Sequence, residues 1–339
     1  MKTVFVVDDS DTNLSMAESA LDDLYRVMTM PSAAKMFSLL NKIVPELILL
    51  DIEMPEMNGF QALQELKSSE KWSSIPVIFL TGRNDSEVEV KGFELGAVDF
   101  ITKPFSTPVL LNRIKTHLDI DSIIRERTAQ LARLQNSIVS VLANIVENRD
   151  KGTGSHIERT SEYIKILING MKEYGVYVDE IQDWDIDKIV SSARMHDLGK
   201  ISITDIIMNK PGKLTGEEYN VMKTHAKEGQ RIIDEIISKT GEGEFLRNAR
   251  LFAGYHHEHW DGNGYPHGLK GKEIPLQGRI MAIVDVYDAL VSERPYKKAF
   301  SSEDAVQIIM QNAGSHYDPV IADVFFKVKD FFKAVGAKS

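Results

Sequence analysis

Histidine and aspartate recur through the second half of this chain in an order that could hold metal ions. His156 comes first. His196 and Asp197 follow in Met-His-Asp-Leu-Gly-Lys200, then His225, the adjacent His256 and His257, and Asp285 in Ala-Ile-Val-Asp-Val-Tyr-Asp. Neutral imidazoles and carboxylates together suit borderline divalent metals such as iron, manganese, nickel or zinc. The chain has no cysteine, so disulfides and thiolate ligands are excluded and any metal site must use His, Asp and Glu. His196 and Asp197 are neighbours near a helix end, where consecutive side chains diverge by about 100°. A carboxylate at such a vertex can bridge two ions while its neighbour caps one. Asp285 lies inside an otherwise apolar helical run, and a buried carboxylate there needs a metal or a cationic partner.

A second set of reactive residues lies near the start. Asp8 and Asp9 end one β-branched apolar run, Asp51 ends another, and Thr81 and Lys103 follow later ones. Three carboxylates meeting in one pocket repel each other and call for a divalent cation, and an oxygen-rich site suits Mg2+. The cation makes one carboxylate a usable nucleophile toward a phosphoryl donor. Lys103 would pair with the transferred phosphoryl oxygens, and the Thr81 hydroxyl would donate to one of them.

The elements needed to position these groups can be read from the apolar pattern. Short runs at Thr3–Val7, 46–50, 77–80 and 99–101 read as strands, with helical patterns between them, for example at 60–68 and 87–95. Alternation of this kind implies an α/β doubly wound parallel sheet covered on both faces, with ligands beyond the carboxyl ends of its strands. Asp51 then ends the third strand of the fold, although the strand before it has no clear run. From 110 to 148 there is no Pro or Gly. Leu110, Ile124, Leu131, Ile138 and Ile145 share one heptad position, with Ile120, Leu134 and Val141 on its companion; Arg113, His117 and Arg127 interrupt the seam. This is either a linker helix that pairs two copies as a parallel coiled coil or one amphipathic helix packed on its own domain. Beyond 150 the pattern is helical throughout, which predicts an all-α second domain.

Two resemblances follow from these motifs. Val-Asp-Asp, Leu-Leu-Asp-Ile-Glu-Met-Pro-Glu-Met-Asn-Gly, Leu-Thr-Gly and Thr-Lys-Pro-Phe, spread over residues 1–121, resemble the receiver domain of two-component response regulators. That resemblance implies a flavodoxin-like fold with Asp51 as phosphoacceptor and a sensor histidine kinase as partner. It also implies Mg2+ on Asp8, Asp9, Asp51 and the main-chain carbonyl of Glu53, and Thr81 and Phe100 as the switch pair beside Lys103. His256-His257-Glu-His-Trp-Asp-Gly-Asn-Gly-Tyr-Pro, with Met-His-Asp-Leu-Gly-Lys before it, is similar to the HD-GYP subfamily of the HD phosphohydrolases over about residues 138–335.

The second resemblance implies an HD-domain helical bundle holding two divalent metals, with iron, manganese or nickel favoured. His156, His196, Asp197 and Asp285 would hold one ion and Asp197, His225, His256 and His257 the other. Lys200, with Arg294 and Lys297 of Arg-Pro-Tyr-Lys, would bind substrate phosphates. Family members with three metals carry a Glu at the place of Gly152, so two metals are expected here, with Glu147 the outside candidate for a third. Gly264, Tyr265 and Pro266, with Gly262, form a turn that either supports the His pair or contacts substrate or a partner protein. The implied reaction is hydrolysis of cyclic di-GMP to pGpG, and onward to GMP in some members, by a hydroxide bridging two metals. Another cyclic dinucleotide such as 3′,3′-cyclic GMP-AMP, or a silent receptor for such a molecule, remains open.

Composition agrees with this and excludes other classes. With 339 residues, 43% hydrophobic and 27% charged, the chain suits about two globular domains: a receiver at 1–121, a helical linker at 122–150 and a catalytic domain at 138–339. The net charge of −10 is concentrated in residues 1–121, which hold 11 basic and 19 acidic side chains. With no basic stripe and no helix-turn-helix, DNA is not an expected partner. No apolar run reaches the roughly 18–20 residues of a membrane span, and none near the start makes a signal peptide, so a cytoplasmic protein away from the membrane is expected.

Overall fold

The computed structural model describes residues 1–82, 86–149, 155–293 and 298–336. They divide into two compact units, Met1–Leu131 and Ala132–Ser339. The first holds a five-stranded parallel sheet of β1 (Thr3–Val7), β2 (Arg26–Met30), β3 (Leu47–Asp51), β4 (Val77–Thr81) and β5 (Asp99–Thr102) in the order β2-β1-β3-β4-β5. Helices α1 (Asp11–Leu21), α2 (Ala33–Leu40), α3 (Gly59–Ser68), α4 (Ser86–Glu94) and α5 (Thr107–Arg149) connect and follow the strands.

The three central strands are buried on both faces, which is why they read as continuous apolar runs. Phe5, Val7, Ile48, Leu50, Val77 and Phe79 face one helix layer; Val4, Val6, Leu47, Leu49, Ile78 and Leu80 face the other. Strand β2 escaped the sequence reading for a physical reason. It is an edge strand, half-buried rather than buried, and its Arg-Val-Met-Thr-Met has no β-branched run to mark it.

The second unit is helical: α6 (His156–Glu173), α7 (Val178–Ile181), α8 (Ile186–Ala193), α9 (Asp205–Met208), α10 (Gly216–Thr240), α11 (Glu244–Tyr255), α12 (Leu276–Val291), α13 (Ser302–Gln311) and α14 (Pro319–Gly336). Its main core joins Tyr163, Leu167, Ile280, Ile283, Tyr287, Phe325 and Phe332 from α6, α12 and α14. The α/β receiver fold, the helical HD fold and the long connecting helix are therefore as expected.

One part of the heptad reading is corrected. Leu110 is fully buried with Ile114 and Leu118 in the sheet's helix layer, at the spacing of a helix covering its own domain. Further along, Val139 and Val146 pack in a satellite core of the second unit with Met195, Leu198 and Ile233. Ile120, Ile124, Leu131, Leu134, Ile138, Val141 and Ile145 stay exposed, so the continuous stripe begins at Ile120 rather than at Leu110. Ile114→Ala should cost the receiver unit about 2–5 kcal/mol, as truncation in a packed core does. Urea unfolding followed at Trp72, with Ile124→Ala as a surface control, checks this.

Candidate metal centre

Five helical elements bring the predicted histidines and aspartates into one cluster. His156 opens α6, His225 lies within α10, His256 and His257 follow α11, and Asp285 lies in α12. His196 and Asp197 stand in the turn after α8, where Asp197 precedes the 3-10 turn Leu198–Ser202. That turn sits directly on the backbone of α10. A Cβ on Gly199 would lie 1.9 Å from the His225 carbonyl oxygen, so the glycine of His-Asp-Leu-Gly-Lys is required for close approach.

Two groups of donors result, each with its ligand atoms within 4.8 Å of one another: His156, His196 and Asp285, and His225, His256 and His257. Asp197 reaches both. Its Oδ2 is 3.4 Å from His196 Nε2, while its Oδ1 is 3.4 Å from His225 Nε2 and 3.8 Å from His256 Nε2. His156 Nε2 is 3.6 Å from Asp285 Oδ1. Orientation of the rings comes from their other nitrogens. Nδ1 of His196, His225 and His256 donates to the carbonyls of Ala193, Met222 and Phe252 at 2.9, 2.8 and 2.9 Å. Each Nε2 is thereby left as a lone-pair donor facing the cluster. The buried Nε2 of His196 has no hydrogen-bond partner, which is the mark of an atom meant for a ligand. The donor set fits two divalent ions sharing Asp197.

In the first unit Asp8, Asp9 and Asp51 converge at the carboxyl ends of β1 and β3, with carboxylate oxygens within 4.8 Å. Lys103 Nζ lies 2.6 Å from Asp8 and 2.8 Å from Asp51. Burial, aided by the charge of Asp8, raises the Asp51 carboxyl despite Lys103. Thr81 ends β4 and Phe100 lies in β5, packed 5.4 Å from Phe79 and 4.9 Å from Phe93. Glu53 follows β3 on the exposed side of the pocket.

A family model described as "Response regulator receiver domain" matches residues 4–115, and one described as "HD domain" matches residues 140–321. A relative named "Probable cyclic di-GMP phosphodiesterase" from Vibrio cholerae is 39% identical over 99% of this chain and 80% of its own length. The chain belongs to the family of receiver-linked HD-domain phosphodiesterases. "Cyclic di-GMP phosphodiesterase response regulator RpfG" from Xanthomonas campestris is 33% identical over 83% of this chain and 75% of its own. "3′3′-cGAMP-specific phosphodiesterase 2" from Vibrio cholerae is 35% identical over 61% of this chain but only 37% of its own.

Around this HD-domain site, several expected residues take more definite places. Lys200 Nζ is 2.8 Å from Asp197 Oδ2. Burial would push Asp197 up, but Lys200 and His196 outweigh it and hold the carboxyl well below the usual range. The glycine loop backs the second group of donors: Tyr265 stacks on His257 with ring centroids 4.7 Å apart, and its N–H donates to the His257 carbonyl. A Cβ on Gly264 would lie 2.2 Å from the His259 nitrogen, so this close fold needs glycine. Glu147, the outside candidate for a third metal, accepts the His156 N–H at 2.9 Å and so caps α6. His259 and His316 pair ring to ring at 3.7 Å outside both donor groups, and His267 bonds Gln230. Arg294, Lys297 and Gly152 lie outside the described residues.

The carboxylate expected to be buried in α12 is corrected. Asp285 keeps 22% of its side chain exposed and opens onto the cluster, while Asp288, one turn later, is the buried one at 1%. Sequence reasoning missed Asp288 and its partner Arg159. The signal was present as two aspartates three residues apart on one helix face. It also missed Glu258, which is buried and accepts the N–H groups of His267 and Leu269 at 2.7 and 2.9 Å, pinning the exit of the glycine loop.

These environments set a pH dependence. Burial, with the neighbouring His196 and His225, lowers His256 to about 3; burial likewise lowers His225 and His257. An imidazole depressed on folding contributes stability that is complete above its unfolded value of about 6.5. That stability is lost as pH falls toward the folded value. At His156 burial also lowers, but the Asp288 hydrogen bond and the charge of Asp285 outweigh it, so its contribution has the opposite sign. Three lowered rings outweigh one raised. The metal-free chain should therefore lose stability in its HD unit between pH 7 and pH 5. Urea unfolding of a Trp72→Phe variant in chelator checks this, since Trp184 and Trp260 then report that unit; stability that is flat or rising toward pH 5 contradicts it.

Proposed function

We propose that the chain hydrolyses cyclic di-GMP to linear pGpG, the step that some members of the family follow by cutting onward to GMP, under the control of phosphorylation at Asp51. One observation carries the reading: two groups of nitrogen and oxygen donors stand on either side of a single carboxylate, Asp197, that reaches both. His156, His196, Asp197 and Asp285 would hold one ion and Asp197, His225, His256 and His257 the other, with iron, manganese or nickel suited to the imidazole-rich set. A pair of divalent ions so held supplies Lewis acidity toward a phosphodiester and lowers the pKa of a water for attack on phosphorus.

The chain's own residues supply the rest. Asp197 is kept ionised by Lys200 and so stays a ligand at neutral pH. Lys200, one-fifth exposed beside Asp197, would offset charge on a phosphate oxygen as the 3′-oxygen leaves; the resemblance gives Arg294 and Lys297, outside the described residues, the same task. His225 and His256 are themselves deeply buried, so their donor nitrogens stand apart from bulk water. Lys200→Ala should lower kcat on cyclic di-GMP by about 10²–10³, the cost of removing one charge-stabilising donor. Metal-loaded chain offered cyclic di-GMP and 3′,3′-cyclic GMP-AMP in parallel tests the substrate. Preference for the second would move the chain to the specificity named for the Vibrio cholerae relative, and turnover of neither would leave a receptor.

For control, Asp8, Asp9, Asp51 and the Glu53 carbonyl would hold Mg2+ while a sensor histidine kinase supplies the phosphoryl group. Thr81, Phe100 and Lys103 would report its arrival. The route onward is α5. Its early turns are part of the receiver core, and its last turns grip the segment bearing His196 and Asp197. There Ser140 accepts from Arg194 at 2.7 Å, and Arg149 donates to the carbonyls of Ile201 and Ile203. The exposed stripe from Ile120 to Ile145 fits a second copy of the chain in a parallel coiled coil. The glycine loop at Tyr265 and Pro266 is a place for a protein partner, and DNA and membrane have no part in the scheme. Beryllofluoride with Mg2+ should change the hydrolysis rate of the wild type and leave Asp51→Asn unchanged; equal wild-type rates with and without it contradict the coupling.

A further inference from the structure

The two halves of the donor cluster are backed differently. His156 and Arg159 lie one turn apart on α6 and face Asp285 and Asp288, one turn apart on α12. The His156 Nδ1–H donates to Asp288 Oδ2 at 2.8 Å. Arg159 holds the same carboxylate from both sides, Nε to Oδ1 at 2.6 Å and Nη2 to Oδ2 at 2.8 Å, and Nη2 also reaches Ser292 Oγ at 2.8 Å. Asp288 and Arg159 are 1% and 6% exposed, so neither meets solvent or a substrate. His196, His225 and His256 instead rest on main-chain carbonyls, which are neutral acceptors.

We propose that Asp288, fixed by Arg159, is a positioning residue that holds His156 with Nε2 toward the cluster and makes the His156–His196–Asp285 half the tighter of two unequal metal sites. This deepens the function proposed above and rests on it. A carboxylate partner fixes the tautomer, pins the ring and makes the imidazole a stronger donor than a carbonyl partner does. The same half also owns the second carboxylate, Asp285, whereas the His225–His256–His257 half has only neutral rings besides the shared Asp197. A divalent ion therefore fills the first half before the second. Arg159 compensates the charge of Asp288, so the carboxylate stays ionised and fixed in place in a buried setting.

Titration with Mn2+ of a metal-free full-length parent chain carrying Asp8→Asn and Asp9→Asn, which removes the receiver's own cation site, tests this when free Mn2+ is followed by electron paramagnetic resonance. Two steps are expected in that parent chain, and adding His257→Ala should remove the weaker one alone. Asp288→Asn should weaken the tighter step by about ten- to a hundredfold, because an amide NH2 turned to His156 would force the proton onto Nε2. The second step should change by less than about threefold. Since Asp288→Asn leaves a buried guanidinium uncompensated, the paired Arg159→Met, Asp288→Leu variant removes both charges and should show the same selective loss. Equal weakening of both steps in both variants, or no weakening, overturns the role of Asp288 while leaving the metal reading intact. A parent chain, silenced at Asp8 and Asp9, that takes up no Mn2+, Fe2+ or Ni2+ overturns both.

Discussion

The second unit depends on one electrostatic constraint: Asp197 must stay ionised beside His225, His256 and His257, the rings that burial depresses. Five imidazoles and two carboxylates drawn from four helices and one turn crowd into this cluster. Protonated rings could not coexist there, since each would meet its neighbours 4.0–5.5 Å away, centroid to centroid. Burial solves that problem by depressing His225, His256 and His257, which also leaves their lone pairs available. Lys200 solves the converse problem for Asp197. The unit thus carries the conditions for metal binding before any ion arrives.

The scaffold around this constraint is economical in its use of close contacts. Gly199 lets the Asp197 turn lie on the α10 backbone, and Gly264 lets the glycine loop fold against Glu258 and His259. Side chains at either place would separate donors that have to share ions. Helix α5 adds a different kind of constraint, because it is a core element of each unit by itself. Leu110, Ile114 and Leu118 belong to the receiver, and Val139 and Val146 to the layer beneath Met195 and Leu198. A shift of this helix against either core has to be accommodated by repacking there.

Much of this was legible in the residues. The strand-end acids, Thr81 and Lys103 could be placed because a parallel sheet collects its chemistry at one edge, and the central strands announce themselves by unbroken apolar runs. The metal cluster could be placed because its donors come in motifs with fixed local spacing. What escaped lacks such a signature. Strand β2 is half exposed, and its β-branched Val27 and Thr29 alternate with Arg and Met instead of forming a continuous apolar run. Leu110 matches the heptad by spacing but is claimed by the sheet. Asp285 and Asp288 are one turn apart on the same helix, and only the packing of Arg159 decides which is buried. Arg159 and Asp288 meet from distant parts of the chain, and only the spacing of Asp288 from Asp285 hinted at the pair; Glu258 binds the main-chain N–H groups of His267 and Leu269, which no side-chain pattern marks.

The central claim is that one carboxylate serves two ions. Crystals of the full chain grown with Mn2+ and measured at the manganese absorption edge test it directly. In the second unit, apart from any ion on the receiver acids, the account predicts two anomalous peaks roughly 3.5–4 Å apart, each within ligand distance of an Asp197 oxygen and flanked by one of the two donor groups. A single peak, or two that do not share Asp197, would contradict it.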